Sequence, residues 1–209
     1  MAAASCCHHV VNRDRLRRLL EESAKIGLDE AAGPGLHRAA LSDYDMEGRA
    51  WLTKTMEGLG LEVFQDGAMN IHGRVSPADS PGAAVVMTGS HHDTVRGGGR
   101  LDGALGVIAG VECLARIKEL GVPLKYGLEV VNFTDEEGRF GGMLGSMCLA
   151  GKLTPEKVLT MASYDGQRAA NLLALRSSAS ESTSTVSAVQ EQAAAEAAVG
   201  AAYGGSGGA

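Results

Sequence analysis

Apolar residues recur at helical spacing at Leu16, Leu19, Leu20, Ala24 and Ile26, so the pattern predicts an amphipathic helix over 13–27 that ends at Gly27. Ser42, followed by Asp45 and an acidic first turn, caps a second helix running to about residue 59, with Trp51, Leu52 and Met56 on its buried side and Gly58 and Gly60 stopping it. Short strands at 61–65 and 70–75 flank an Asp66-Gly67 turn, a hairpin-like element. Residues 76–82, with two prolines, form a loop leading into the continuous apolar run 83–88, which reads as a strand buried on both faces. A long helix follows over 104–120, with Leu105, Val107, Ile108, Val111, Leu114 and Ile117 as its apolar residues and Gly121-Val-Pro123 as its end. A second apolar strand spans 127–134. Strand, helix and strand at this spacing predict a βαβ unit with parallel strands joined by a right-handed crossover. Shorter helices are expected at 143–151, from Thr154-Pro155 onward, and over 165–175.

From Ser177 the composition collapses into Ser, Thr, Ala and Gly, which predicts a disordered tail over 177–209 with helical leaning in its alanine-rich part. The remainder, over 10–176, has enough apolar content for one domain, the chain being 44% hydrophobic over 209 residues. A net charge of −6 and a pI near 5.5 argue against nucleic-acid binding and favour a small-molecule partner. Cys6, Cys7, Cys113 and Cys148 lack paired zinc-ribbon spacing and read as reduced thiols. No apolar run approaches the roughly 20 residues needed to span a bilayer, and the first nine residues hold no signal-peptide core. Arginines at 13, 15, 17 and 18 raise the idea of a transit peptide, which Asp14, Glu21 and Glu22 argue against; the expected location is cytoplasmic.

The candidate chemistry sits where the apolar strands run out. In Gly89-Ser-His-His-Asp-Thr-Val95, side chains alternate between faces, so His91 and Asp93 point one way and His92 the other. His91 can then bind a metal through one ring nitrogen while Asp93 accepts a hydrogen bond from the second. The alternative is a core histidine with Asp93 as a turn or helix cap. Asp102 lies between glycines in Gly97-Gly-Gly-Arg-Leu-Asp-Gly103, where the backbone can approach a buried ion closely and the carboxylate can bridge two metals. The alternative is an N-cap for the helix that follows, a role compatible with the first. That glycine run matches neither phosphate-binding spacing, so nucleotide binding is not expected. Asp135, Glu136 and Glu137 place three acids at the end of an apolar strand, where repulsion calls for a cation, although such clusters are commonly solvated surface runs. With Glu137 as a ligand, Glu136 can take a proton from an activated water.

These segments resemble the carbamoylase, β-ureidopropionase and allantoate amidohydrolase branch of the di-metal aminoacylase and carboxypeptidase superfamily, peptidase family M20. The resemblance covers about 13–175, through His37-Arg-Ala-Ala-Leu-Ser42, Asp66-Gly-Ala-Met-Asn70 with His72-Gly-Arg74, the two strand-end motifs, the glycine-rich turn and Leu149-Ala-Gly151. It implies an α/β fold, a three-layer α/β/α metallohydrolase catalytic domain with a mainly parallel central sheet. By the same resemblance His91, Asp102 and Glu137 are metal ligands, with Asp102 bridging, while Glu136 is the general base and Asp93 supports His91. It further implies two divalent ions, Zn or Mn, and hydrolysis of linear amide C–N bonds in N-carbamoyl amino acid, ureido or allantoate-like substrates. Family members draw two further histidine ligands and a dimerising lid domain from later sequence. Here no histidine follows His92, so a truncated domain with incomplete metal occupancy and no homodimer interface is expected, and a catalytically inactive fragment acting through association is the alternative.

Overall fold

The computed structural model describes residues 11–80 and 82–169. Asn12 accepts the Arg15 amide at 3.0 Å and so caps α1 (Arg13–Ser23). This helix stops short of the predicted end at Gly27. The buried Arg38 guanidinium draws the carbonyls of Ser23 and Ile26 to itself at 3.0 and 2.9 Å, and Gly27 turns the chain at φ +87°. Ser42 caps α2 (Asp43–Gly58) as predicted, accepting the Asp45 amide at 3.2 Å. Leu52 and Met56 are fully buried beneath it, and Trp51 is partly so.

The hairpin pairs β1 (Glu62–Gln65) antiparallel with β2 (Ile71–Val75), and β2 pairs antiparallel with β4 (Gly127–Phe133). The predicted βαβ unit is present: β3 (Val85–His91) lies parallel to β4, with α3 (Ala104–Glu119) between them in sequence. The sheet order is β1-β2-β4-β3, so the sheet is mixed and mostly antiparallel, not mainly parallel. The reason is local: a chain reversal as short as 66–70 can join only antiparallel neighbours, and the hairpin then adds its second strand to β4.

Helices α2 and α3 share one core with the sheet, where Leu52 and Met56 meet Val107, Val111 and Leu114 over Ile71 and Val130. Each buried side chain of this size contributes about 1.5–3 kcal/mol relative to exposure. Leu19 of α1 packs outside this layer against Ala104 and Ile108. Of the two helical layers expected around the sheet, α1, α2 and α3 form one. On the opposite face His72, Arg74 and Glu129 form an ionic network, with Phe64 stacked on the His72 ring at 4.5 Å.

The strand predicted at 83–88 to be buried on both faces is instead the sheet edge: Val86 is 57% exposed and Met87 42%. The apolar run made a strand there, but no described strand lies on its outer side. Beyond β4, α4 (Leu144–Leu149) and α5 (Pro155–Thr160) follow as predicted. Residues 163–168 form a turn closed by a bridge from Ala162 to Arg168 where a helix from 165 was expected, because the Asp165 carboxylate engages Ser163 and Arg139. The rest of that expected helix and the tail read at 177–209 lie outside the described residues. No described helix is long and apolar enough to cross a membrane.

Candidate metal centre

His91 is the last residue of β3, and His92 the first beyond it, and the pleat sends them to opposite faces. His92 enters the helical core. It is fully buried, stacks on Trp51 at 5.8 Å, and its Nε2 meets Ser23 Oγ at 2.7 Å; burial holds its pKa well below the usual imidazole range. His91 turns the other way, 8% exposed, and its Nδ1 lies 3.0 Å from the Asp93 carbonyl oxygen. A carbonyl only accepts, so Nδ1 carries the proton and Nε2 keeps the lone pair. The tautomer is therefore fixed by the Asp93 backbone, whereas the sequence pointed to its carboxylate, which stands 3.7 Å away.

The Asp93 carboxylate has another task. It accepts the amides of Glu136 and Glu137 at 3.4 and 3.2 Å, tying the end of β3 to the loop after β4. Burial, with the nearby Asp45 carboxylate, pushes its pKa up to about 7, against the stabilising Glu137 amide and His91.

Asp102 is exposed beside Gly103, which sits at φ +61° against the imidazole of His91. A Cβ at Gly103 would collide with that ring, so the glycine is what lets the loop lie on the histidine. Gly103, not Asp102, is the N-cap of α3, and no side-chain capping bond is made, which leaves the Asp102 carboxylate for other use.

The acidic triplet divides. Asp135 is wholly buried at φ +54° and folds back to accept the amides of Arg139 and Phe140 at 2.6 and 3.0 Å. Burial raises its pKa, and the turn amides counter that rise. Glu136 and Glu137 are half-buried and face the histidine side; Glu136 Oε2 lies 3.5 Å from His91 Nε2. One ligand atom from each of His91, Asp102 and Glu137 falls within 4.8 Å of the others. An imidazole with two carboxylates at that separation fits Zn²⁺ or Mn²⁺ in its donor chemistry. A cleft of about 400 Å³ opens beside Glu137, walled by Asp93, Thr94, Arg96, Arg139 and Tyr164.

Sequence reasoning missed the residues that hold this end of the sheet. Arg38, fully buried, donates to the His92 carbonyl at 2.6 Å, and its amide donates to Thr94 Oγ1 at 3.0 Å. Arg139 donates to the Ala40 carbonyl at 2.7 Å and to Asp165 at 2.8 Å. Asn70, also fully buried, joins the hairpin to the far end of β4. The sequence offered each as a polar residue with no mark of the partner it would meet.

The sequence model of peptidase family M28 matches residues 70–204. N-carbamoyl-L-amino-acid amidohydrolase of Pseudomonas sp. (strain NS671) is 39% identical over 148 residues, covering 70% of this chain and 35% of that protein. Ureidoglycolate hydrolase of Oryza sativa subsp. japonica is 36% identical over 143 residues, covering 68% and 29% respectively. Among solved structures, a hydantoinase/carbamoylase family amidase from Burkholderia ambifaria matches with a TM-score of 0.72 at 36% identity, over 78% of this chain and 39% of that one. The chain spans about a third of the length of the curated relatives it matches. The strand-end motifs had placed the resemblance under family M20; the matching family model is M28, and the relatives are those the motifs anticipated. The chain belongs to peptidase family M28 by its matching family model, and the relatives it resembles are of the hydantoinase/carbamoylase branch.

Proposed function

We propose that this chain carries the His91, Asp102 and Glu137 ligand set of a metal-dependent hydrolase of linear amide C–N bonds, acting on N-carbamoyl amino acids or related ureido compounds. The observation that carries the reading is the convergence of those three donors within 4.8 Å, with the Glu136 carboxylate next to them. A bound Zn²⁺ or Mn²⁺ supplies two things, a lowered pKa for a water and polarisation of the substrate carbonyl. The chain's residues do the rest. Glu136, its side chain 39% exposed, takes the proton of the attacking water and returns it to the departing nitrogen as the C–N bond breaks. Asp93 holds the amides of Glu136 and Glu137 and so sets their direction, while its carbonyl keeps His91 in the tautomer with a basic Nε2. The cleft beside Glu137 receives the substrate.

A second reading is favoured by the ligand count. Three protein donors among the described residues suffice for one catalytic zinc but not for two ions, and the exposed β3 edge suits association. In that reading the chain binds one cation and does not turn over alone.

Hydrolysis of an N-carbamoyl amino acid with added Zn²⁺ or Mn²⁺, followed by ammonia release, separates the two. The hydrolase reading predicts turnover that Glu136→Gln lowers by about 10²–10⁴-fold with bound metal retained. Metal-loaded protein without turnover supports the second reading, and turnover indifferent to Glu136→Gln removes the proposed base.

A further inference from the structure

We propose that Asn70 is a positioning residue of the candidate centre: its side-chain amide clasps the end of β4 to the start of α4 and thereby fixes where Glu136 and Glu137 stand. The inference rests on the reading of His91, Asp102 and Glu137 as a cation site.

The chemistry at this point calls for a side chain that donates and accepts at once. The Thr134 amide can only donate, and it gives its hydrogen to Asn70 Oδ1 at 3.0 Å. The Gly145 carbonyl can only accept, and it takes a hydrogen from Asn70 Nδ2 at 3.1 Å. These two partners also settle which way round the amide lies. All of this is buried, Asn70 at 0% exposure and Thr134 at 1%, so an unmet donor or acceptor would carry its full desolvation penalty. The seat fits no larger neighbour: a Cβ at Gly145 would run into Asn70 Oδ1 and lie 2.5 Å from the Thr134 nitrogen.

Both sides of the clasp are themselves held. On the hairpin side, Asp66 accepts the amides of Ala68 and Asn70 at 2.9 and 2.8 Å and Asn70 Nδ2 at 2.7 Å. Arg49 donates to the carbonyl of Met69, a residue fixed at φ +62°. On the site side, the amides of Gly145, Leu144 and Met143 donate to the carbonyls of Thr134, Asp135 and Glu136 at 2.7, 3.2 and 3.1 Å. Segment 143–145 is thus lashed to 134–136, and Asn70 ties both to a rigid turn. Thr134 stands two residues before Glu136, so slack at the clasp passes to the carboxylates through very few torsions. Metal affinity is sensitive to displacements of about 0.5 Å in such supports.

The test uses the full chain and Zn²⁺ as probe, with the dissociation constant read by chelator competition, the melting temperature by circular dichroism and the ligand geometry by Co²⁺ absorption. Asn70→Ala removes all three side-chain bonds, to Thr134, Gly145 and Asp66; Asn70→Ser leaves a hydroxyl able to serve one partner. Below their melting transitions, the expected weakening of Zn²⁺ binding is about tenfold or more for Asn70→Ala and less for Asn70→Ser, each with an altered Co²⁺ spectrum. Leu114→Ala, a core change on α3, is the control that lowers the melting temperature and leaves Zn²⁺ affinity and the Co²⁺ spectrum as in the parent chain. Folded Asn70 variants that bind Zn²⁺ like the parent, while His91→Ala abolishes binding, overturn this inference alone. Parent chain that binds no Zn²⁺, or binds it equally after His91→Ala, overturns the cation site and the inference with it.

Discussion

β4 and β3 are parallel neighbours of seven residues each, similarly apolar, and both deliver acids or a histidine to the same end of the sheet, yet they live in different surroundings. β4 lies between β2 and β3 and is buried along nearly its whole length. β3 is exposed over its first five residues and buried only at His91. Hydrophobic sequence alone therefore sets that a strand forms, and lateral neighbours decide whether it is covered. The chemistry does not depend on that cover. At the residues that matter, β3 is fixed by Arg38, which grips the chain at His92 and Thr94, and by Gly103 against the His91 ring. β4 is fixed at the same level by Asn70 and Asp93. The two strands differ in their bodies and agree in their ends.

The comparison breaks most readily by charge. Val130 of β4 is fully buried, so Val130→Asp is expected to lose more than about 4 kcal/mol and abolish cooperative unfolding in urea. Val86→Asp, on the same face of the edge strand, is expected to change stability by under about 0.5 kcal/mol. An equal loss at both sites would mean that β3 is covered as β4 is. The anchored end is sharper still to probe with Arg38→Leu, which removes the guanidinium that donates to the carbonyls of Ser23, Ile26 and His92; about 3 kcal/mol should be lost in the same measurement.

A smaller effect is expected from pH. Burial opposes protonation of His72, but hydrogen bonds to Asp66 and Glu129, with the charge of both carboxylates, carry its pKa up to about 9. The folded value lies above the unfolded one near 6.5, so the stabilisation is complete below pH 6.5 and is lost as pH rises through 9. The melting temperature should fall across that window, and His72→Gln should flatten the fall. A parent curve level between pH 6.5 and 9 would remove the charged-histidine bridge between β2 and β4.

What the sequence disclosed follows the same division. The alternation that separates His91 from His92 is a two-residue period, readable without any tertiary knowledge, and so are the helix caps at Ser42 and the glycine beside Asp102. The division of Asp135 from Glu136 and Glu137 was not readable, because it depends on a left-handed backbone at Asp135 and on turn amides that come afterwards. Arg38 and Asn70 stood in the motifs that carried the resemblance but were given no role, for a related reason: the partners that tie them to the strand ends, the His92 carbonyl and the Thr134 amide, lie 54 and 64 residues away in sequence, and a polar side chain carries no periodic mark of whom it will meet. The docking of β2 against β4 and the bare edge of β3 are matters of neighbourhood, which hydrophobic patterning does not encode.

The central claim is that His91, Asp102 and Glu137 share one cation position, and anomalous X-ray scattering from crystals soaked in Zn²⁺ addresses it most directly. The account predicts a zinc peak at about 2.0–2.3 Å from one nitrogen of His91 and from carboxylate oxygens of Asp102 and Glu137, lost in Asp102→Ala. A peak seated elsewhere, or no peak among these three side chains at saturating zinc, would contradict it.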